Sequence, residues 1–237
     1  MLLGSSTSLL VGWLAFATAV RGLAIPGYPF HSPFGSSGAS KHALGYNGYN
    51  WGCIYDFADE IIRRHKAGHI IASHTWSHVE ITKMAPDALA QQLDLVDEAL
   101  WKIIGVKPKF FRPPYGKHNA ASIEAVKARN MTKIMWSFSS EDAVGKTPEQ
   151  SLKEYGSLMK HFPAQEIALN HEIKEGTAQT VVPHILPRLI AKGYKLVTVD
   201  ECLGVEPYRE VGTLGVRDAT WTCSGTPRPG QRRGFKT

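Results

Sequence analysis

Residues Gly68 to His78 read GHIIASHTWSH. A glycine, a short run rich in β-branched residues and an abrupt change to polar side chains are the marks of a buried strand where it leaves its sheet. The stretch closes with His74 and His78, four residues apart at that exit. Neutral imidazole is a common ligand for zinc and similar ions. The pair therefore reads either as two metal ligands or as two hydrogen-bonded loop histidines.

The flanking sequence places this strand in a repeating pattern. Before it, YDFADEIIRRHKAG (55–68) has the spacing of an amphipathic helix stopped by Gly68. After it, APDALAQQLDLVDEALWKIIG (85–105) carries Leu89, Leu93, Val96, Leu100 and Ile103 at helical spacing, with Pro86 suited to the first turn and Gly105 to the stop. KFFRPP (109–114) is the next strand, followed by a helix over 120–129 and a strand KIMWSF (133–138). Thr147, Pro148 and Gln150 have the pattern of a helix-opening capping box. EIALNH (166–171) is a further strand, then a proline-punctuated helix runs to Gly193 and KLVTV (195–199) follows. Strands alternating with helices of this length imply parallel pairing with helices packed outside, so the fold class is α/β. An open doubly wound sheet and a barrel both satisfy the pattern, but no glycine-rich nucleotide loop follows any strand, which argues against dinucleotide binding.

The chain has 237 residues, 43% of them hydrophobic and 20% charged, which suits one sizeable globular domain. Its net charge of +6 is scattered apart from a short cluster in RPGQRRGFK near the end. That cluster reads as a solvated terminus, and with no nucleic-acid-binding signature present, no RNA or DNA partner is expected. Leu9 to Val20 form an apolar run too short to span a bilayer and close to the length of a signal-peptide core. We therefore expect a signal peptide over 1–24, export from the cell and no stable membrane insertion. The alternative for the same run is a buried first element of the fold. Residues 25–50, rich in Gly, Ser, Pro and Asn, read as a flexible linker. Of Cys53, Cys202 and Cys223, one pair could close in an oxidising compartment, Cys202 and Cys223 being nearest in sequence.

In parallel α/β architectures the chemistry gathers at the carboxyl ends of the strands. Here those ends read SHTWSH, FRPPYG, WSFSSEDA and LNHE. In this order they resemble the polysaccharide deacetylases of the NodB-homology type, carbohydrate esterase family four, and most of all the secreted fungal chitin deacetylases. The resemblance runs over residues 46–223 and implies a distorted (β/α) barrel that removes N-acetyl groups from amino sugars with a divalent metal. It implies a deacetylase domain over 51–203 with residues 204–237 as a C-terminal extension. It makes His74 and His78 ligands of zinc, or of another divalent ion such as cobalt. The Tyr115 backbone N–H becomes an oxyanion donor, Arg112 a residue oriented by Asp142, and His171 the acid that protonates the leaving amine. Leu169 would line the pocket for the acetyl methyl, and Trp136 joins Tyr115 and Leu169 as substrate-binding. The substrate implied is chitin or its N-acetylglucosamine oligosaccharides, handled by a monomeric protein in the extracellular space or cell wall.

Two departures from the family pattern stand out. Its first motif, of the form TFDDG, supplies an Asp base and an Asp ligand, yet residues 1–55 contain no Asp or Glu. The barrel is thus expected to lack its first β/α unit. In the fourth motif Ser139 and Ala143 stand where an Asp and a Trp are expected, leaving Asp142. A catalytic metal site normally uses three protein ligands and an open position, so the metal should be weakly held. Two readings follow: a chitin deacetylase that is weak or inactive, or a catalytically silent carbohydrate-binding homologue.

Overall fold

A computed structural model describes residues 9–14, 48–49 and 52–228. In chain order its elements are β1 (Leu9–Leu14), α1 (Ala58–Lys66), α2 (Pro86–Ile104), β2 (Val106–Pro108), β3 (Phe110–Phe111), α3 (Ala120–Lys127), β4 (Thr132–Lys133), β5 (Phe138–Ser139), α4 (Pro148–Leu158), β6 (Glu166–Asn170), α5 (Val182–Lys192), β7 (Lys195–Val197), α6 (Val199–Leu203) and β8 (Tyr208–Val211). They divide into two compact units, one containing 136–205 and the other containing 44–135 and 206–237. The fold is α/β. Its strands are distributed over three separate sheets of four, two and two strands, so the described residues form no closed barrel.

The first unit is built on the four-stranded sheet, in the order β5-β6-β1-β7 and parallel throughout. Six residues of the apolar run read as a signal-peptide core, Leu9–Leu14, form the strand between β6 and β7, with Leu10 opposite Glu166 and Leu9 opposite Lys195. The rest of the expected signal peptide lies outside the described residues, as does the expected linker apart from Gly48 and Tyr49. Helix α4 opens as its sequence predicts, with Thr147 Oγ1 accepting from the Gln150 N–H and Gln150 Oε1 accepting from the Thr147 N–H. Its buried residues Tyr155 and Leu158 pack with Val181, Ile185, Leu189 and Leu196 into the core of this unit.

The second unit is organised by α2. Pro86 occupies the first turn, Gly105 takes the left-handed conformation at φ 67°, and its N–H returns to the Trp101 carbonyl. Leu89, Leu93, Val96, Leu100 and Ile103 are each 1% exposed or less, as their spacing predicts. Burial of this kind contributes roughly 1.5–3 kcal/mol for each such side chain. Trp221 and Cys223 join the same core as Ile61, Val96 and Leu100. Residues 206–228, within the segment expected as an extension from 204, are thus part of this unit, and β8 pairs antiparallel with β2.

Three further expectations change. Ile70 to Ser73 of HIIAS are buried, but among the described residues the segment makes a single bridge, Ser73 to Phe111. Phe110–Phe111 is too short to pair with more of it, and the Ile71 N–H is satisfied by the Tyr208 hydroxyl instead of a neighbouring strand. KIMWSF is not one strand: Thr132–Lys133 pairs with β3 in one unit, while Phe138–Ser139 pairs with β6 in the other. The disulfide joins Cys53 to Cys223, 170 residues apart, rather than Cys202 to Cys223. Cys202 is a free thiol.

One consequence for stability comes from His69, which follows α1. Burial, reinforced by the nearby Arg64 and Arg63 guanidinium groups, lowers its pKa from 6.5 to about 4 against a smaller opposing effect of Glu60. The unfolded chain therefore takes up a proton before the folded one does. Stability is full above the unfolded pKa near 6.5 and falls as the pH drops towards 4. Allowing for solvent screening of this partly exposed ring, we expect a loss of about 1–2 kcal/mol over that window. Urea unfolding at pH 7 and pH 4.5 should show a smaller difference for His69→Gln than for wild type; equal differences would remove His69 from the account.

Candidate active site

His74 and His78 lie in a loop rather than on a helix face. In an extended chain residues four apart are separated by about 13 Å. Here Thr75 (φ 67°) and His78 (φ 52°) are both left-handed, and the turn they make brings the two imidazole centroids to 4.9 Å. Such conformations in side chains other than glycine cost on the order of 1–3 kcal/mol each and gather at functional sites. The fully buried Thr75, being β-branched, is the least suited to it.

The surrounding residues hold this turn in place. The Arg112 N–H donates to the Ser73 carbonyl, and His74 Nδ1 lies 2.6 Å from the Arg112 carbonyl. Nδ1 must carry the proton in that bond, which leaves the Nε2 lone pair of His74 as its ligand position. Pro113 and Pro114 restrict the next backbone steps. Tyr115 then turns left-handed at φ 60°, with its ring centroid 4.7 Å from that of His78 and its hydroxyl donating to the His78 carbonyl. His74, His78 and Tyr115 thus form one cluster, with Tyr115 largely exposed. Arg112 is 5% exposed, and burial pushes its guanidinium pKa down.

The other unit, taken by itself, contains an Asp–His pair. Asp142 follows Glu141, which is left-handed at φ 60°, and His171 directly follows β6. Asp142 Oδ1 lies 2.8 Å from His171 Nδ1, while Oδ2 accepts from the His171 backbone N–H at 2.6 Å and from Thr177 Oγ1 at 2.8 Å. Burial raises the Asp142 pKa, but the His171 side chain and N–H and the Thr177 hydroxyl outweigh it and hold the carboxyl below the usual range. With Nδ1 engaged, Nε2 is the nitrogen His171 has for proton transfer, and its side chain is 33% exposed. Leu169 is half-buried on β6 opposite Ser139, and Trp136 is half-buried two residues before β5.

His74 and His78 are the two residues expected to hold a metal. His74 and His78 offer two imidazoles at close range, one with its tautomer fixed, which suits a divalent ion. Among the described residues no group of three His, Cys, Asp or Glu side chains is placed to hold one. Asp142, the acid that survives from the fourth motif, is engaged with His171 and Thr177.

Thr177 is a site residue the sequence did not reveal. It begins an irregular turn, Thr177–Val181, ahead of α5, and nothing in KEGTAQT distinguishes its hydroxyl from the others.

The family model for polysaccharide deacetylases matches residues 39–134, which include HTWSH and RPPYG. A chitin deacetylase from Pestalotiopsis sp is 29% identical over 174 residues, covering 71% of this chain and 57% of the relative. A probable peptidoglycan-N-acetylglucosamine deacetylase from Arthroderma benhamiae is 27% identical over 196 residues, covering 82% of this chain and 45% of the relative. The solved structure of the chitin deacetylase from Colletotrichum lindemuthianum superposes with a TM-score of 0.64 at 27% identity, covering 69% of this chain and 76% of that one. The chain spans about half the length of the curated relatives it matches.

Proposed function

Because the chain belongs to the polysaccharide deacetylase family, we propose that it hydrolyses the N-acetyl groups of chitin or N-acetylglucosamine oligosaccharides, slowly and with a weakly held divalent metal. The observation that carries this reading is the His74–His78 pair, folded back on itself beside Tyr115 with the His74 tautomer set by a backbone carbonyl. Relatives named for chitin and for peptidoglycan deacetylation support an N-acetylated amino-sugar polymer as the substrate class.

The reaction consumes one water, breaks the amide C–N bond and yields acetate and a free amine. His74 and His78 would hold zinc or cobalt, which when bound polarises the amide carbonyl and makes a water more acidic. The Tyr115 backbone N–H donates to the oxygen that gains charge as the carbonyl becomes tetrahedral. His171, aligned by Asp142, gives its Nε2 proton to the departing nitrogen. Leu169 receives the acetyl methyl, Trp136 offers its ring to the sugar, and Arg112 stiffens the loop that carries Tyr115. Turnover is slow because the two imidazoles have no carboxylate completing their cluster among the described residues, as ligand or as base. That same observation favours the second reading, a homologue that binds the polysaccharide without cleaving it. The Cys53–Cys223 disulfide supports secretion, since disulfides persist in oxidising compartments.

Metal analysis paired with an acetate-release assay on chitin oligosaccharides tests this. The expected result is zinc held more weakly than by a three-ligand site, lost in His74→Ala and His78→Ala, with slow acetate release. Rapid release with one tightly held zinc per chain would overturn the account of the site; oligosaccharide binding with no release under any divalent metal would establish the silent homologue.

A further inference from the structure

We propose that Gln92 is a positioning residue for the His74–His78 pair, an inference that rests on reading that pair as metal ligands. Gln92 lies on α2 between Leu89 and Leu93, within the stripe that builds the core, and is 3% exposed. A buried amide among apolar side chains is unfavourable unless it is hydrogen-bonded. Its Oε1 accepts twice from one residue, from the Ser77 N–H at 2.8 Å and from Ser77 Oγ at 3.0 Å.

Ser77 directly precedes His78, whose left-handed backbone turns its imidazole towards His74. The segment between the two histidines is held along its length. His74 bonds to the Arg112 carbonyl, Trp76 Nε1 donates to Thr226 Oγ1, the Trp76 carbonyl accepts from the Tyr49 N–H, and Ser77 is bound to Gln92. Of these, only the Gln92 bonds lie directly beside His78 and come from a 19-residue helix, the most rigid kind of support available. Without that acceptor the buried Ser77 N–H loses its partner, and the unfavourable φ of His78 is free to relax. The second imidazole would then swing away from the first. Were packing the only demand at position 92, leucine or methionine would meet it.

The test uses the whole protein and two readouts, the melting temperature and the affinity for Zn²⁺, with the Co²⁺ visible absorption bands reporting ligand geometry. Gln92→Met keeps the volume but removes the acceptor, and Gln92→Glu keeps the acceptor. Gln92→Met should weaken Zn²⁺ binding by roughly 10-fold to 100-fold, as loss of supporting bonds around metal ligands does, and should alter the Co²⁺ bands. Gln92→Glu should bind within about three-fold of wild type. Ser77→Ala, which removes one of the two bonds without touching the core, should fall between them. A merely structural role predicts lower melting temperatures with unchanged affinity and Co²⁺ bands in all three, and that outcome overturns the proposal. Wild-type Zn²⁺ binding that is indifferent to His74→Ala and His78→Ala would sink the reading of the pair and this inference with it. Histidine-dependent binding that survives Gln92→Met would sink the role of Gln92 alone.

Discussion

Replacing His171 by alanine should slow acetate release from chitin oligosaccharides by about 10²-fold to 10⁴-fold, the usual effect of losing a positioned proton donor. Zinc affinity and melting temperature should stay close to wild type, because the ring is one-third exposed and bonds to Asp142. The departing nitrogen of an amide is a poor leaving group until it is protonated. Asp142→Asn should show a smaller loss, because an amide holds the ring but no longer stabilises its protonated form. The Asp142 carboxyl sits below its usual range, since burial is outweighed by the bonds from His171 and Thr177. Its stabilising contribution is therefore complete above the unfolded pKa near 4 and disappears only as the pH falls through the lower folded value. Any decline in rate near pH 5 or above must come from other groups. Comparing rates at matched zinc loading checks these statements; a His171→Ala protein within about three-fold of wild type would remove His171 from the reaction.

The second large effect is expected at the disulfide. Cys53 and Cys223 are separated by 170 residues, so their link removes more freedom from the unfolded chain than a short loop would. Disulfides of this kind typically contribute roughly 2–5 kcal/mol, which corresponds to a fall of about 5–15 °C in melting temperature for a chain of this length. The paired change Cys53→Ala and Cys223→Ala should lower stability by that amount. A second consequence follows from Thr226, whose hydroxyl donates to the Cys223 carbonyl and accepts from the Trp76 indole. Freed from Cys53, the 221–228 segment loses its anchor, and the loop between His74 and His78 loses one of its supports. Zinc affinity should fall together with stability, although neither cysteine belongs to a group of three potential metal ligands among the described residues. Calorimetry and zinc titration of the paired variant provide the check. A change below about 1 kcal/mol would mean that the core around Trp221 and Val96 holds this segment without the bond.

Much of the secondary structure was legible because its signals are local. Pro86, Gly105 and the leucines between them specify α2 from start to stop, and Thr147 with Gln150 opens α4 as their side chains dictate. The strand HIIAS shows the limit of that reasoning. Its composition is right for a strand, but the length of its ladder depends on a neighbour, and Phe110–Phe111 offers two residues. KIMWSF fails for a related reason, since its two ends pair with different strands. Gln92 left a readable trace as a polar residue within an apolar stripe, whereas Thr177 left none.

By itself the sequence determined the α/β alternation, the helix boundaries marked by proline and glycine, and the candidate side chains that follow the strands. These follow from backbone preferences and periodicity, which act over a few residues. The tertiary structure alone decided that Cys53 rather than Cys202 meets Cys223, that Asp142 is taken up by His171 and Thr177, and that two left-handed residues fold His78 back towards His74. Those outcomes depend on which distant groups are brought within hydrogen-bonding or bonding distance, and spacing along a chain carries no record of that.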